Sequence, residues 1–130
     1  MTVKFNIVER GRPGHSEAPK KYYPSIQSTG RVGMHQLAER ASDMSTLSTP
    51  DMMAAIEILL AIIPDELAQG NIVELGDFGN FWLYFSAEGV EDIAKVRGDL
   101  ITTLLPRFNP GKRFKRTLTT IKFKKLHRKV

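Results

Sequence analysis

The chain has 130 residues, 42% apolar and 25% charged, with a net charge of +5. That length fits one domain, or one domain with a modest appendage, and the apolar fraction argues against a disordered or fibrous chain. With no cysteine, a disulfide scaffold, thiol catalysis and cysteine-based zinc or iron–sulfur sites are excluded, and a reducing compartment fits.

Val3, Phe5 and Ile7 alternate with Lys4 and Asn6, the period-two pattern of a half-buried strand. Met1–Asn6 lacks the basic flank and apolar stretch of a signal peptide. Gly11–Pro19 reads as a loop, and Lys20–Ser28 as a second strand, which Pro24 makes an edge or bent strand. An N-terminal β appendage, residues 1–30, is therefore expected ahead of a core domain, residues 31–130.

A first helix is predicted from Met34 to Ser45, with Met34, Leu37, Ala38, Ala41 and Met44 on one stripe. Ser48 or Thr49 is placed to cap a second helix, Pro50–Gln69, whose first turn Pro50 and Asp51 suit. Met52, Met53, Ile56, Leu59, Leu60, Ile63 and Leu67 form one face of it, and Ala54, Ala55, Ile58, Ala61 and Ile62 fill most of the rest. The apolar run Ala54–Ile63, broken by Glu57, is too short for a membrane span. A helix apolar nearly all round needs cover on both sides, which a chain with one other long helix cannot supply. A partner chain, hence a dimer, is expected. Pro64 is expected to kink this helix and Gly70 to end it.

Asn71–Leu75 reads as a short strand, Gly76-Asp77 as a turn, and Phe78–Phe85 as a second strand with Phe81, Leu83 and Phe85 on one face and Trp82 and Tyr84 on the other. A polar, acidic stretch with a helical turn near Val90–Val96 leads to a returning strand, Leu100–Leu105. Asn109 is then expected to cap a third helix with Pro110 at its first position, carrying Phe114, Leu118 and Ile121 on one face. Ile121–Lys125 alternates as a closing strand. Ten of the 19 basic residues follow position 106 with no acid among them, leaving nine bases against 14 acids in the first 106 residues. A basic end on a mildly acidic body suits a polyanionic partner.

Two motifs stand in this frame: Val73-Glu74-Leu75-Gly76-Asp77-Phe78-Gly79-Asn80-Phe81, and Phe108-Asn109-Pro110-Gly111-Lys112-Arg113-Phe114-Lys115. Their sequence and spacing resemble the HU/IHF family of bacterial histone-like proteins over about residues 32–120. The first is similar to the family's Gly-Phe-Gly-x-Phe turn and the second to its Phe-x-x-Gly-Lys-x-Leu-Lys helix start, with Phe114 in place of Leu. The chain looks most like the longer HU-like subgroup of Bacteroides-type bacteria, which also carries an N-terminal β extension.

The resemblance implies an α+β fold: an intertwined dimer of helical hairpins beneath an antiparallel β-sheet, with a β-arm and a basic C-terminal helix. It implies sequence-tolerant binding of double-stranded DNA in the cytoplasmic nucleoid, with arms in the minor groove, as is general for these architectural proteins. Lys112, Arg113, Lys115 and Arg116, with Arg107 just upstream, are expected to neutralise phosphates. The amides of Gly79 and Asn80 are further candidates from the resemblance, although glycine also simply permits a tight turn. The arm departs from the family. Glu88, Glu91 and Asp92 stand among its positions, the Arg-Asn-Pro wedge is missing, and Lys95 and Arg97 are its remaining cations. Lys122 and Lys124 add a basic edge, which also guards a strand against aggregation.

His15, His35 and His127 share no metal-ligand spacing, and the pairs Asp65-Glu66 and Glu91-Asp92 have no nucleophile or histidine beside them. No enzyme, metal or cofactor is expected. Two other readings stay open: the dimer as a scaffold for protein–protein interaction through the acidic loop or the N-terminal strands, and RNA binding on the same basic surface.

Overall fold

The structure, a computed structural model, describes residues 1–11, 14 and 17–126. His15, His127, Arg128, Lys129 and part of the loop after Arg10 lie outside the described residues. The chain forms two compact units, Met1–Val32 with Thr117–Val130, and Gly33–Arg116.

In the first unit, β1 (Thr2–Arg10) pairs antiparallel with β2 (Lys21–Gln27) and in parallel with β6 (Lys122–Lys125), in the order β2-β1-β6. Pro24 lies opposite Ile7 on edge strand β2, where its missing donor costs no inner ladder bond. The closing strand expected at Ile121–Lys125 is present as β6. It joins the N-terminal strands across nearly the whole length of the sequence, a pairing that no local pattern signals.

In the second unit, α1 (Met34–Asp43) and α2 (Thr49–Ala68) form the helical hairpin. Ser48 caps α2, its hydroxyl accepting from the Asp51 amide at 3.2 Å. Gly70, at φ +90°, follows the helix end and donates its amide to the Leu67 carbonyl. A three-stranded antiparallel sheet follows, in the order β3-β4-β5: β3 (Val73–Glu74), β4 (Gly79–Ala87) and β5 (Ile101–Pro110). Between β4 and β5 the arm carries two 3-10 turns, Ile93–Lys95 and Gly98–Leu100. The seven-residue α3 (Lys112–Leu118) comes after β5.

The third helix departs from the sequence expectation at both ends, and because it stops at Leu118, Ile121 lies beyond it and not on its face. Asn109 and Pro110 do not begin the third helix. They end β5, opposite Asn80 and Gly79, and α3 starts after Gly111, whose carbonyl accepts from the Lys115 amide. Ladder pairing with β4 carries the strand through Pro110, so the cap position falls on Gly111, and Asn109 and Pro110 lie too early to cap or open α3. The strands also run longer than the sequence pattern suggested on the β5 side, and shorter in β3.

Burial is sparse. Among the described residues only Ala38 and Leu67 are buried apolar side chains, while Ile58, Leu59, Leu60 and Ile62 on α2 are each about half exposed. Ile63, Pro64, Leu67, Phe81, Leu83 and Pro106 border an open apolar groove of about 430 Å³ within the second unit.

Candidate nucleic-acid interface

The two sequence motifs meet in space. The Gly111 amide donates to the Phe78 carbonyl at 2.9 Å, joining the turn before β4 to the residue before α3. Around this bond four phenylalanines assemble. Phe78 lies 5.4 Å from Phe108 and 5.3 Å from Phe114, ring centre to ring centre. Phe108 also contacts Phe81 at 5.0 Å and Phe114 at 5.6 Å. The tilted and edge-on geometries are those that aromatic quadrupoles favour, each pair adding about 0.5–1.5 kcal/mol beyond its area burial.

Two glycines make this approach possible. Gly79 is buried at φ +145°, a backbone region that disfavours side chains. A Cβ there would meet the Asn109 carbonyl and lie 2.7 Å from the Phe108 ring. A Cβ on Gly111 would meet the Asp77 carbonyl and lie 3.1 Å from the Gly79 nitrogen. The position and direction of α3 are thus set by the ring cluster and by two backbones in contact.

On this anchored helix stand Lys112, Arg113, Lys115 and Arg116, all exposed, with Phe114 between them turned to the rings. No carboxylate follows Asp99 in the sequence. The structure therefore gathers four of the expected phosphate-neutralising cations on one short helix. Arg107 is placed differently. It lies on β5 opposite Trp82, and its guanidinium sits 4.9 Å above the Tyr84 ring, on the sheet face away from Phe81 and Phe108. The stacked ring holds the guanidinium in place and leaves its edge to solvent.

The remaining candidates are scattered. Gly79 is buried, and Asn80 is half-buried in the ladder between Glu74 and Asn109, so both serve the turn and the sheet. Lys95 and Arg97 are exposed in the arm, and Arg97 faces Asp99 at 3.6 Å. Asp92, read in the sequence as part of an acidic stretch, accepts from the Ala94 amide at 3.0 Å and caps the first arm turn. Val90, Ile93 and Val96 are exposed there, Ile93 by 89%. Lys122 and Lys124 lie on β6 in the other unit, beside Thr2 and Lys4 of β1.

The sequence reading missed the ring cluster, the Arg107–Tyr84 stack and the role of Gly111. Only the recurrence of Phe at both motifs hinted at the first. Among the described residues no group of three His, Asp or Glu side chains could hold a metal ion, and no helix is long and apolar enough to cross a membrane.

Comparison with known proteins agrees with this architecture. Integration host factor subunit beta of Tolumonas auensis is 30% identical over 88 residues, covering 65% of this chain and 95% of that protein. The DNA-binding protein HU of Thermus thermophilus is 31% identical over 81 residues, covering 61% and 84%. The fold is similar, with a TM-score of 0.67 at 13% identity, to the crystal structure of a candidate bacterial DNA-binding protein from Bacteroides vulgatus. That match covers 99% of this chain and 50% of the other, so this chain spans half its length, and at that identity the likeness speaks to fold alone. Residues 1–125 match the HU-HIG family, described as an HU domain fused to a wHTH, Ig or glycine-rich motif. The chain belongs to this HU-HIG family.

Proposed function

We propose that the chain is a histone-like protein of the nucleoid that binds double-stranded DNA as a homodimer, without strong sequence preference. The observation that carries this reading is the set of exposed cations Lys112, Arg113, Lys115 and Arg116 on a helix whose start is fixed by the Phe78–Phe108–Phe114 cluster. Arg107 adds a fifth cation, and the relatives' names include DNA binding. Cations fixed in position neutralise phosphates and release condensed counterions without reading bases. The dimer is supported by α2, whose half-exposed Ile58, Leu59, Leu60 and Ile62 need a second surface, and by the apolar groove along Ile63 and Leu67. Interaction with a random-sequence duplex is expected to weaken linearly in log affinity against log salt, by about 0.9 per phosphate contact. Absence of binding at low salt, or an affinity that ignores salt, contradicts the proposal.

A second reading concerns the arm. Its exposed Val90, Ile93 and Val96 beside Glu88, Glu91 and Asp92 suit a protein partner better than a phosphate chain. On this reading, replacing residues 89–97 with a short glycine-serine turn leaves duplex affinity unchanged. A clear loss of affinity would assign the arm to DNA instead.

A further inference from the structure

The sheet of the first unit has two chemically different faces. The register places Lys4, Asn6, Val8 and Arg10 of β1 on the same face as Lys21 and Ser25 of β2 and Lys122 and Lys124 of β6. Val3, Phe5, Ile7, Ile26 and Phe123 lie on the opposite face, with Glu9 and Lys125. The first face holds five cations and no carboxylate, and no described ion pair involves any of them.

Solubility does not account for this arrangement. Lysines on an edge strand discourage strand addition, which is a sufficient reason for Lys122 and Lys124 on β6. Lys4, however, is on the central strand, β1. It stands directly beside Lys124, and Arg10 directly beside Lys21. Neighbouring strands are about 4.8 Å apart, and like charges directly opposite each other destabilise a sheet. The sheet thus carries two like-charge cross-strand pairs on one face with no local counter-charge. The six residue steps from Lys4 to Arg10 set these pairs about 20 Å apart at the strand rise of roughly 3.4 Å. A duplex of that length presents about twelve phosphate charges.

We infer that this face, Lys4, Arg10, Lys21, Lys122 and Lys124, is a second duplex-DNA contact surface, separate from α3. It binds the phosphate backbone, and the repulsion within its two cation pairs is relieved in the complex. The inference rests on the DNA-binding reading of this chain.

The test uses the full-length chain and three proteins: wild type, Lys4→Gln/Arg10→Gln/Lys21→Gln, and Lys4→Glu. Salt titrations against a random duplex are expected to give the triple variant a log–log slope shallower than wild type by about 2.7 for each protomer that contacts the duplex, at 0.9 per lost contact. Lys4→Glu places a carboxylate beside Lys124. It is expected to keep or raise the melting temperature while weakening duplex binding, a combination that a purely structural lysine does not produce. If wild type binds with a steep slope and both variants match it, this face is not a DNA contact and the α3 reading stands. If wild type itself shows no salt-dependent binding, the DNA-binding reading fails first. If the variants lose affinity for a structured RNA but not for the duplex, the face belongs to RNA and the inference is overturned.

Discussion

The base and the tip of the β4–β5 arm are built on opposite principles. At the base, Gly79 and Pro110 close the ladder, four phenyl rings pack together, and α3 leaves from a backbone contact between Gly111 and Phe78. At the tip, two short 3-10 turns present Val90, Ile93 and Val96 to solvent among carboxylates. Cations gather without carboxylates on α3 at the base, while at the tip Lys95 and Arg97 stand among Glu88, Glu91, Asp92 and Asp99. An electrostatic contact works best from fixed positions, because side chains already ordered lose less freedom on binding. On the proposed function, then, the base of the arm is a DNA-facing part, and the arm tip is chemically suited to something else.

The most severe way to break this contrast is to disturb the base. Gly79→Ala meets both an unfavourable φ and the Phe108 ring. Backbone strain of about 1–3 kcal/mol and overpacking of similar size predict a loss of roughly 3 kcal/mol or more in urea unfolding. The variant should lose duplex affinity with it. Phe108→Ala removes the ring that touches the other three and should cost about 2–3 kcal/mol, below the usual range of about 3–5 kcal/mol because the ring is only half-buried.

Charge changes on α3 should separate binding from folding. Lys112→Gln and Lys115→Gln, each alone, should reduce the salt slope by about 0.9 for each protomer that contacts the duplex. Lys112 lies at the positive end of the helix dipole, so its replacement should leave stability equal or higher by a few tenths of a kcal/mol in the same unfolding experiment. The smallest effect belongs to the tip. Arg97→Ala breaks an exposed 3.6 Å pair with Asp99 and should change stability by less than about 1 kcal/mol. It should change duplex affinity less than twofold. A larger effect of Arg97 than of Lys115 would reverse the contrast between base and tip.

Much of the fold was legible because it is local. Ser48, Pro50 and Gly70 mark the ends of α2 by capping chemistry, and the apolar circumference of α2 announced that one chain does not cover it. The edge position of Pro24 followed from its missing donor. What escaped the sequence depends on contacts between distant segments. Asn109-Pro110 has the form of a helix start, yet ladder partners about thirty residues earlier keep it in β5. The parallel pairing of β6 with β1 joins the two ends of the chain, and nothing in Ile121–Lys125 specifies it. For the same reason, Lys4 looked like the polar half of an alternating strand until the register set it beside Lys124.

The site was legible as a composition and not as a geometry. The basic run from Lys112 to Arg116 was evident, and so were the two motifs. That the motifs are halves of one ring cluster, and that Arg107 stacks on Tyr84 away from it, follows only from the β4–β5 register.

The central claim is that the cations of α3 hold duplex DNA through its phosphates. It is tested most directly by the salt dependence of random-duplex affinity for wild type and for Lys112→Gln/Lys115→Gln, with unfolding curves confirming equal folding. The account predicts a steep negative log–log slope for wild type and one shallower by about 1.8 per contacting protomer for the double variant. Equal slopes for two equally folded proteins, or a wild-type affinity indifferent to salt, would contradict it.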